Sequence, residues 1–180
     1  AREVRAFAAR TRLPAYHPKT HQGCFRYLLV RRSHATGQIL VGLITASGPA
    51  DGTGHSGTAS RELMAAFAEE LMAAHPAVSS VYWGITNRVA DVALPEELIL
   101  LRGAACLEDQ IGPFRLKLHP LSFLQPNSLQ AERIYAHLAR AIGELPDGVA
   151  WDLYCGIGLV SFYLSPHVRK VYGIDSEPHH

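Results

Sequence analysis

What this sequence is short of narrows its reading first. Only three cysteines occur, Cys24, Cys106 and Cys155, far apart and odd in number. None forms a CxxC pair or a Cys/His spacing, which argues against a disulfide framework and against a metal site, and free thiols suit a reducing cytoplasm. Charge of one sign is also missing: 17 Lys and Arg against 16 Asp and Glu leave a net charge of +1. No global field therefore draws the chain to a polyanion, and any nucleic-acid contact must come from a local patch. No apolar run approaches the roughly 20 residues that span a bilayer, so no membrane partner is expected. There is no internal repeat. The start, Ala1-Arg2-Glu3-Val4-Arg5, has neither an initiator Met nor a signal-peptide apolar region and reads as a chain entered midway.

What is present is ordinary globular material. The 180 residues, 48% apolar and 18% charged, suffice for one sizeable domain or two small ones. Ten histidines are many for this length. His17 and His21 have the i, i+4 spacing of a helical metal pair, but Pro18 lies between them and no third ligand is in view. His179-His180 end the chain, as native residues or as the start of a tag.

The first section reads as a mixed α+β unit to about residue 120. Val4, Phe7, Ala8 and Leu13 give a helix over 2–12 that Pro14 stops. Residues 25–31 and 38–45 read as strands joined by a short loop in which Gly37 is free to take positive φ, a hairpin. The stretch 47–58, with four glycines and no large apolar side chain, has nothing to bury. Ser60 caps a helix to about His75 with Leu63, Met64, Phe67, Leu71 and Met72 inward. Strands follow at 78–85, 97–101 and 114–118, with turns near Gly103 and Gly112-Pro113.

From residue 121 the pattern changes. Asn127 and Ser128 open a helix to Ile142 with Ala131, Ile134, Tyr135, Leu138 and Ile142 inward. A strand over 149–153, a glycine turn, a helix over 159–164 and a strand over 170–174 follow. That succession is the opening half of a doubly wound nucleotide-binding sheet. Trp151 and Tyr172, on its strands, read as core.

The densest local signal is Asp152-Leu153-Tyr154-Cys155-Gly156-Ile157-Gly158. A carboxylate closes a strand, and two glycines let a ligand approach the backbone where no Cβ stands. About 20 residues on, Asp175 ends the second strand, placed to accept hydrogen bonds from both hydroxyls of a ribose. A dinucleotide loop carries a third glycine for helix–strand packing; here that position is Ser161, and an acid precedes the loop. Asp152 suits the cationic amine or sulfonium of S-adenosylmethionine better than a pyrophosphate. A glycine turn without any ligand is the plain alternative, since a lone GxG is weak.

Upstream, Ser122-Phe123-Leu124-Gln125-Pro126-Asn127 stands about 25 residues ahead of the D-x-x-C-G-x-G turn. This pairing resembles the RNA uracil-5-methyltransferase family, as do Tyr154-Cys155-Gly156 and the run Val171-Tyr172-Gly173-Ile174-Asp175 with Pro178. Leu13-Pro14, Thr20-His21-Gln22-Gly23, the stretch Phe25 to Arg31, and Ala35-Thr36-Gly37-Gln38 are similar to the family's central domain more loosely. The resemblance implies a central α+β domain over 1–120 followed, over 121–180, by the N-terminal half of an α/β Rossmann-like class I methyltransferase sheet. It implies a cytoplasmic enzyme that takes S-adenosyl-L-methionine and methylates C5 of a uridine in 23S ribosomal RNA, with transfer RNA as the other substrate. Gln125 would lie where cofactor and target base meet, Tyr154 would pack against the cofactor, and Asp175 would hold its ribose. Asp152, Gly156 and Gly158 complete the cofactor set. Leu159 departs from members with a polar side chain there.

The resemblance implies a truncated fragment: the family's nucleophilic cysteine and glutamate base are expected beyond the end of this sequence, and an iron–sulfur cluster in the parent protein would find no ligands here, so no catalytic residue is assigned and the 180 residues alone are expected to be inactive. Cys155 is read as a small side chain packed under the loop. Gln125 has a plainer role as a helix-start hydrogen-bonding group. Arg26, Arg31, Arg32 and Arg102 are candidates for phosphate and, equally, for solvated surface. An incomplete sheet is expected to self-associate through its open edges. The rival readings are a small-molecule or protein methyltransferase with the same turn and a non-catalytic RNA-binding fragment.

Overall fold

A computed structural model describes residues 2–47 and 59–177. The glycine-rich stretch after Ser47 lies outside them, as do Pro178 and His179-His180. The chain divides into two compact units, Ala1–Arg32 with Gly37–Leu107, and Ser33–Thr36 with Glu108–His180. The break after Leu107 precedes the change of pattern placed at residue 120.

The first unit holds helix α1 (Arg2–Thr11), strands β1 (Phe25–Arg32) and β2 (Ile39–Thr45), helix α2 (Arg61–Ala74), and strands β3 (Val78–Ile85) and β4 (Glu97–Gly103). They build one sheet in the order β1-β2-β3-β4. β1 and β2 form the antiparallel pair the sequence predicts, with Gly37 at φ +73° in the connection. β2 and β3 run parallel; a parallel pair needs a long crossover, which α2 supplies. Ser60 caps α2, its side chain accepting the Leu63 amide at 3.1 Å. Met64, Phe67, Ala68 and Leu71 of that helix pack on Val41, Leu43, Val78, Val81 and Trp83, and Phe7 of α1 lies 4.6 Å from the Phe67 ring. The buried Trp83 indole donates to the Thr45 hydroxyl at 2.8 Å, so its polar atom is satisfied inside the core.

The second unit contains strands β5 (Leu107–Ile111, whose first residue belongs to the first unit) and β6 (Phe114–Leu118), helix α3 (Ser128–Ile142), strand β7 (Leu145–Leu153), helix α4 (Leu159–Leu164) and strand β8 (Val168–Ile174). β5 is absent from the sequence reading. Its inward row, Leu107, Asp109 and Ile111, has a carboxylate in the middle, which hides the alternation. Asp109 is buried because the Ser33 hydroxyl and the Gln110 amide donate to it at 2.7 and 2.9 Å.

β7 and β8 pair in parallel, with α4 between them in the chain. Asn127 caps α3 by accepting the Gln130 amide at 3.0 Å. The face of α3 differs from the expected one. Ala131 and Ala139 are buried and Tyr135 meets Tyr163 of α4 at 5.6 Å, whereas Ile134, Leu138 and Ile142 are exposed. The i, i+4 row 131–135–139 makes the contact, and the neighbouring row of larger side chains is left uncovered.

Trp151 and Tyr172 are likewise not core. They pair across β7 and β8, their rings stack at 4.7 Å, and they are 62% and 38% exposed. Strand side chains alternate between faces. Gly173 lies against Cys155 and Ser161 of the α4 side, so Trp151 and Tyr172 take the opposite face, together with Val149, Leu153 and Ile174. Among the described residues no helix is long and apolar enough to cross a membrane.

Candidate functional site

The strand ends of β7 and β8 bring four of the expected residues together. Asp152, next to last in β7, lies opposite Gly173, and the chain then turns through three left-handed residues, Tyr154 at φ +60°, Gly156 at +54° and Gly158 at +81°. Glycine takes such angles without a Cβ penalty; a tyrosine there is uncommon and marks a constrained turn. The turn is held by Cys155 N–H donating to the Ile174 carbonyl at 3.1 Å and by Gly158 N–H donating to the Cys155 carbonyl at 2.9 Å. A Cβ at Gly156 would meet nothing within 4 Å, so the space over the turn is open to a ligand.

Both carboxylates are already working. Asp152 Oδ2 accepts from the Ser161 amide at 3.0 Å and from the Ser161 hydroxyl at 2.7 Å. Gly158, the N-cap of α4, has no side chain to offer, and Asp152 supplies the missing cap from the strand. Asp175 Oδ2 accepts the Gly156 amide and Oδ1 the Glu177 amide, each at 2.8 Å. These bonds orient Asp175 at the edge of the turn. The two carboxylates thus stand at adjacent strand ends on either side of the glycine turn, with open space above Gly156.

The other two candidates stand apart. Tyr154 is 88% exposed, presented outward by its left-handed backbone. Gln125 is exposed in the segment before α3 and makes no hydrogen bond to the turn. It is not the helix cap, since Asn127 does that. The sequence reading noted Ser161 only as a missing glycine and passed over its bond to Asp152; the signal was a hydroxyl nine residues after a strand-ending acid.

Cys155 packs under the loop. Its Sγ would lie 3.1 Å from a Cβ at Gly173. Desolvation first, then the Asp152 and Asp175 carboxylates, push its thiol above the ordinary range. A raised pKa lowers the thiolate fraction and with it the nucleophilicity.

In the first unit, Arg26 lies 4.0 Å over the Tyr16 ring and donates to the Thr86 carbonyl at 3.1 Å, and Arg102 pairs with Glu69 at 2.6 Å. Burial pulls the Arg31 guanidinium below its usual value. His21 meets the Tyr16 hydroxyl at 2.9 Å, and His17 accepts the Lys19 amide at 3.3 Å. Among the described residues no three His, Cys, Asp or Glu side chains gather as a metal site.

No family model matches the chain. It is 33% identical over 160 residues to an uncharacterized RNA methyltransferase of Clostridium tetani, covering 89% of this chain and 32% of that protein. It is 30% identical over 175 residues to one of Caldanaerobacter subterraneus subsp. tengcongensis, covering 94% and 36%. It therefore spans about a third of the length of the curated relatives it matches. The fold superposes on the Pyrococcus abyssi tRNA (uracil-54, C5)-methyltransferase, solved with S-adenosyl-L-homocysteine, with a TM-score of 0.68 and 22% identity, over 98% of this chain and 39% of that one. This chain thus shares its mixed α/β fold with about two fifths of that protein. By sequence, the chain is similar over nearly its whole length to proteins named uncharacterized RNA methyltransferases.

Proposed function

We propose that the turn Asp152–Gly158 with Asp175 binds S-adenosyl-L-methionine, and that the protein is an RNA methyltransferase acting on C5 of a uridine, in 23S ribosomal RNA or else in transfer RNA. The observation that carries this is the pair of carboxylates fixed at neighbouring strand ends on either side of an open glycine turn. The relatives' names support an RNA substrate, and the uracil-C5 enzyme of matching fold supports the base and the atom.

The cofactor supplies an electrophilic methyl group. This chain's residues would bind and orient it: Asp175 would hold the ribose, Asp152 the amino end, and the glycines would admit it close to the backbone. Gln125 has a donor and an acceptor on one amide, which suits a uracil edge turned out of the RNA. Uridine C5 is a weak nucleophile until a thiolate adds to C6 and makes it enolate-like; once C5 is methylated, a base removes its proton and the C6–sulfur bond breaks to return the thiolate. Cys155, half-buried behind the turn with its thiol pushed above the ordinary range, is ill suited to be that thiolate. The partners are RNA and, through the uncovered face of β7 and β8, a second copy when these 180 residues are presented alone.

The test is transfer of tritiated methyl from S-adenosylmethionine by the full-length protein to unmodified ribosomal and transfer RNA, with the product nucleoside identified after digestion. Label in 5-methyluridine is expected. Label confined to small molecules or protein, or to another nucleoside, contradicts the reading.

A further inference from the structure

We infer that Ser161 is a positioning residue that aims Asp152 at the cationic amino group of the cofactor and so selects a sulfonium amino acid over a dinucleotide. This rests on the cofactor reading above. Ser161 donates twice to one oxygen, Oδ2 of Asp152, through its amide at 3.0 Å and its hydroxyl at 2.7 Å. Two donors on one oxygen fix the carboxylate's rotation. Asp152 Oδ1 takes no hydrogen bond among the described residues, which leaves it as the acceptor for a ligand.

The geometry also accounts for the departure from the dinucleotide pattern. There the third glycine lies on the helix so that helix and strand can approach. Here the approach is made from the strand side. A Cβ on Gly173 would stand 3.2 Å from Ser161 Oγ and 3.1 Å from Cys155 Sγ, so the glycine of β8 makes the room and position 161 can carry a hydroxyl. With that hydroxyl comes a strand-end carboxylate held rigidly beside the turn. Its negative charge attracts an ammonium and repels a pyrophosphate.

Two ligands separate positioning from mere support of the fold. S-adenosylhomocysteine carries the amino-acid end; 5′-methylthioadenosine shares the adenosine and lacks it. In calorimetric titrations of the full-length protein, Ser161→Ala should weaken S-adenosylhomocysteine about tenfold, the size of one charge-assisted hydrogen bond, while changing methylthioadenosine by less than about twofold. Ser161→Thr, which keeps the hydroxyl, should restore the first ligand. Equal weakening of both ligands, or no loss for S-adenosylhomocysteine, overturns the role given to Ser161 and leaves the cofactor site standing. Failure of the unsubstituted protein to bind either ligand overturns the cofactor reading and this inference with it.

Discussion

The Asp175 carboxylate accepts the backbone amide of Gly156 at 2.8 Å, tying the end of β8 to the glycine turn that follows β7. The residue expected to hold a ribose therefore also holds the loop on which the ribose would rest. Asp175→Ala should free that amide, and its hydrogen exchange should speed by about tenfold or more, since one hydrogen bond to a charged acceptor is lost. Native-state exchange read at Gly156 checks this. An unchanged rate would mean that the turn is held by its backbone bonds alone.

Cys155 should react slowly with iodoacetamide at neutral pH. Its pKa is raised by desolvation and by two carboxylates, so less thiolate is present below the ordinary thiol pKa, and reactivity should rise only above it. A pH–rate profile on a variant with Cys24 and Cys106 replaced by Ser isolates the signal. Fast alkylation near pH 7 would reopen Cys155 as a nucleophile.

Gln125 separates an RNA substrate from a small one. In the full-length enzyme Gln125→Ala should lower methyl transfer to a uridine-containing hairpin by about ten- to a thousand-fold, as one or two hydrogen bonds in a closed site imply. Bulk RNA affinity should barely change, because phosphate contacts supply most of it. Single-turnover methylation and salt-dependent binding on one variant read both. Unaffected transfer would reduce the F-x-Q-x-N stretch to a helix lead-in.

The 180 residues alone should associate through the face that carries Trp151, Leu153, Tyr172 and Ile174. Parallel strands are ordinarily covered on both faces, and this one is open. Replacing Trp151 and Leu153 by Glu should shift sedimentation toward monomer. A stable monomer across micromolar concentrations before substitution contradicts the prediction.

Local chemistry decided how far the sequence could be read. Ser60, the Leu63–Met72 face and Pro14 announce their helices because caps, periodicity and breakers are short-range signals. β5 escaped because Asp109 breaks the apolar alternation, and part of what makes its burial tolerable is Ser33, far away in the chain. On α3 the choice between the Ala131–Tyr135–Ala139 row and the Ile134–Leu138–Ile142 row depends on which one meets Tyr163, which periodicity does not state. At the site, glycines and acids were legible as types and spacings. That Asp152 also caps α4 and Asp175 also pins Gly156 depends on the parallel register of β7 and β8, which no local pattern carries.

The central claim is the cofactor, and a calorimetric titration tests it most directly: S-adenosylhomocysteine and NAD, each added to the full-length protein and to its Asp175→Ala variant. S-adenosylhomocysteine should bind one to one and lose roughly 1.5–3 kcal/mol in the variant, the range for hydrogen bonds to a charged group, while NAD gives no heat. Binding of NAD, or an affinity for S-adenosylhomocysteine that the substitution leaves unchanged, would contradict the account.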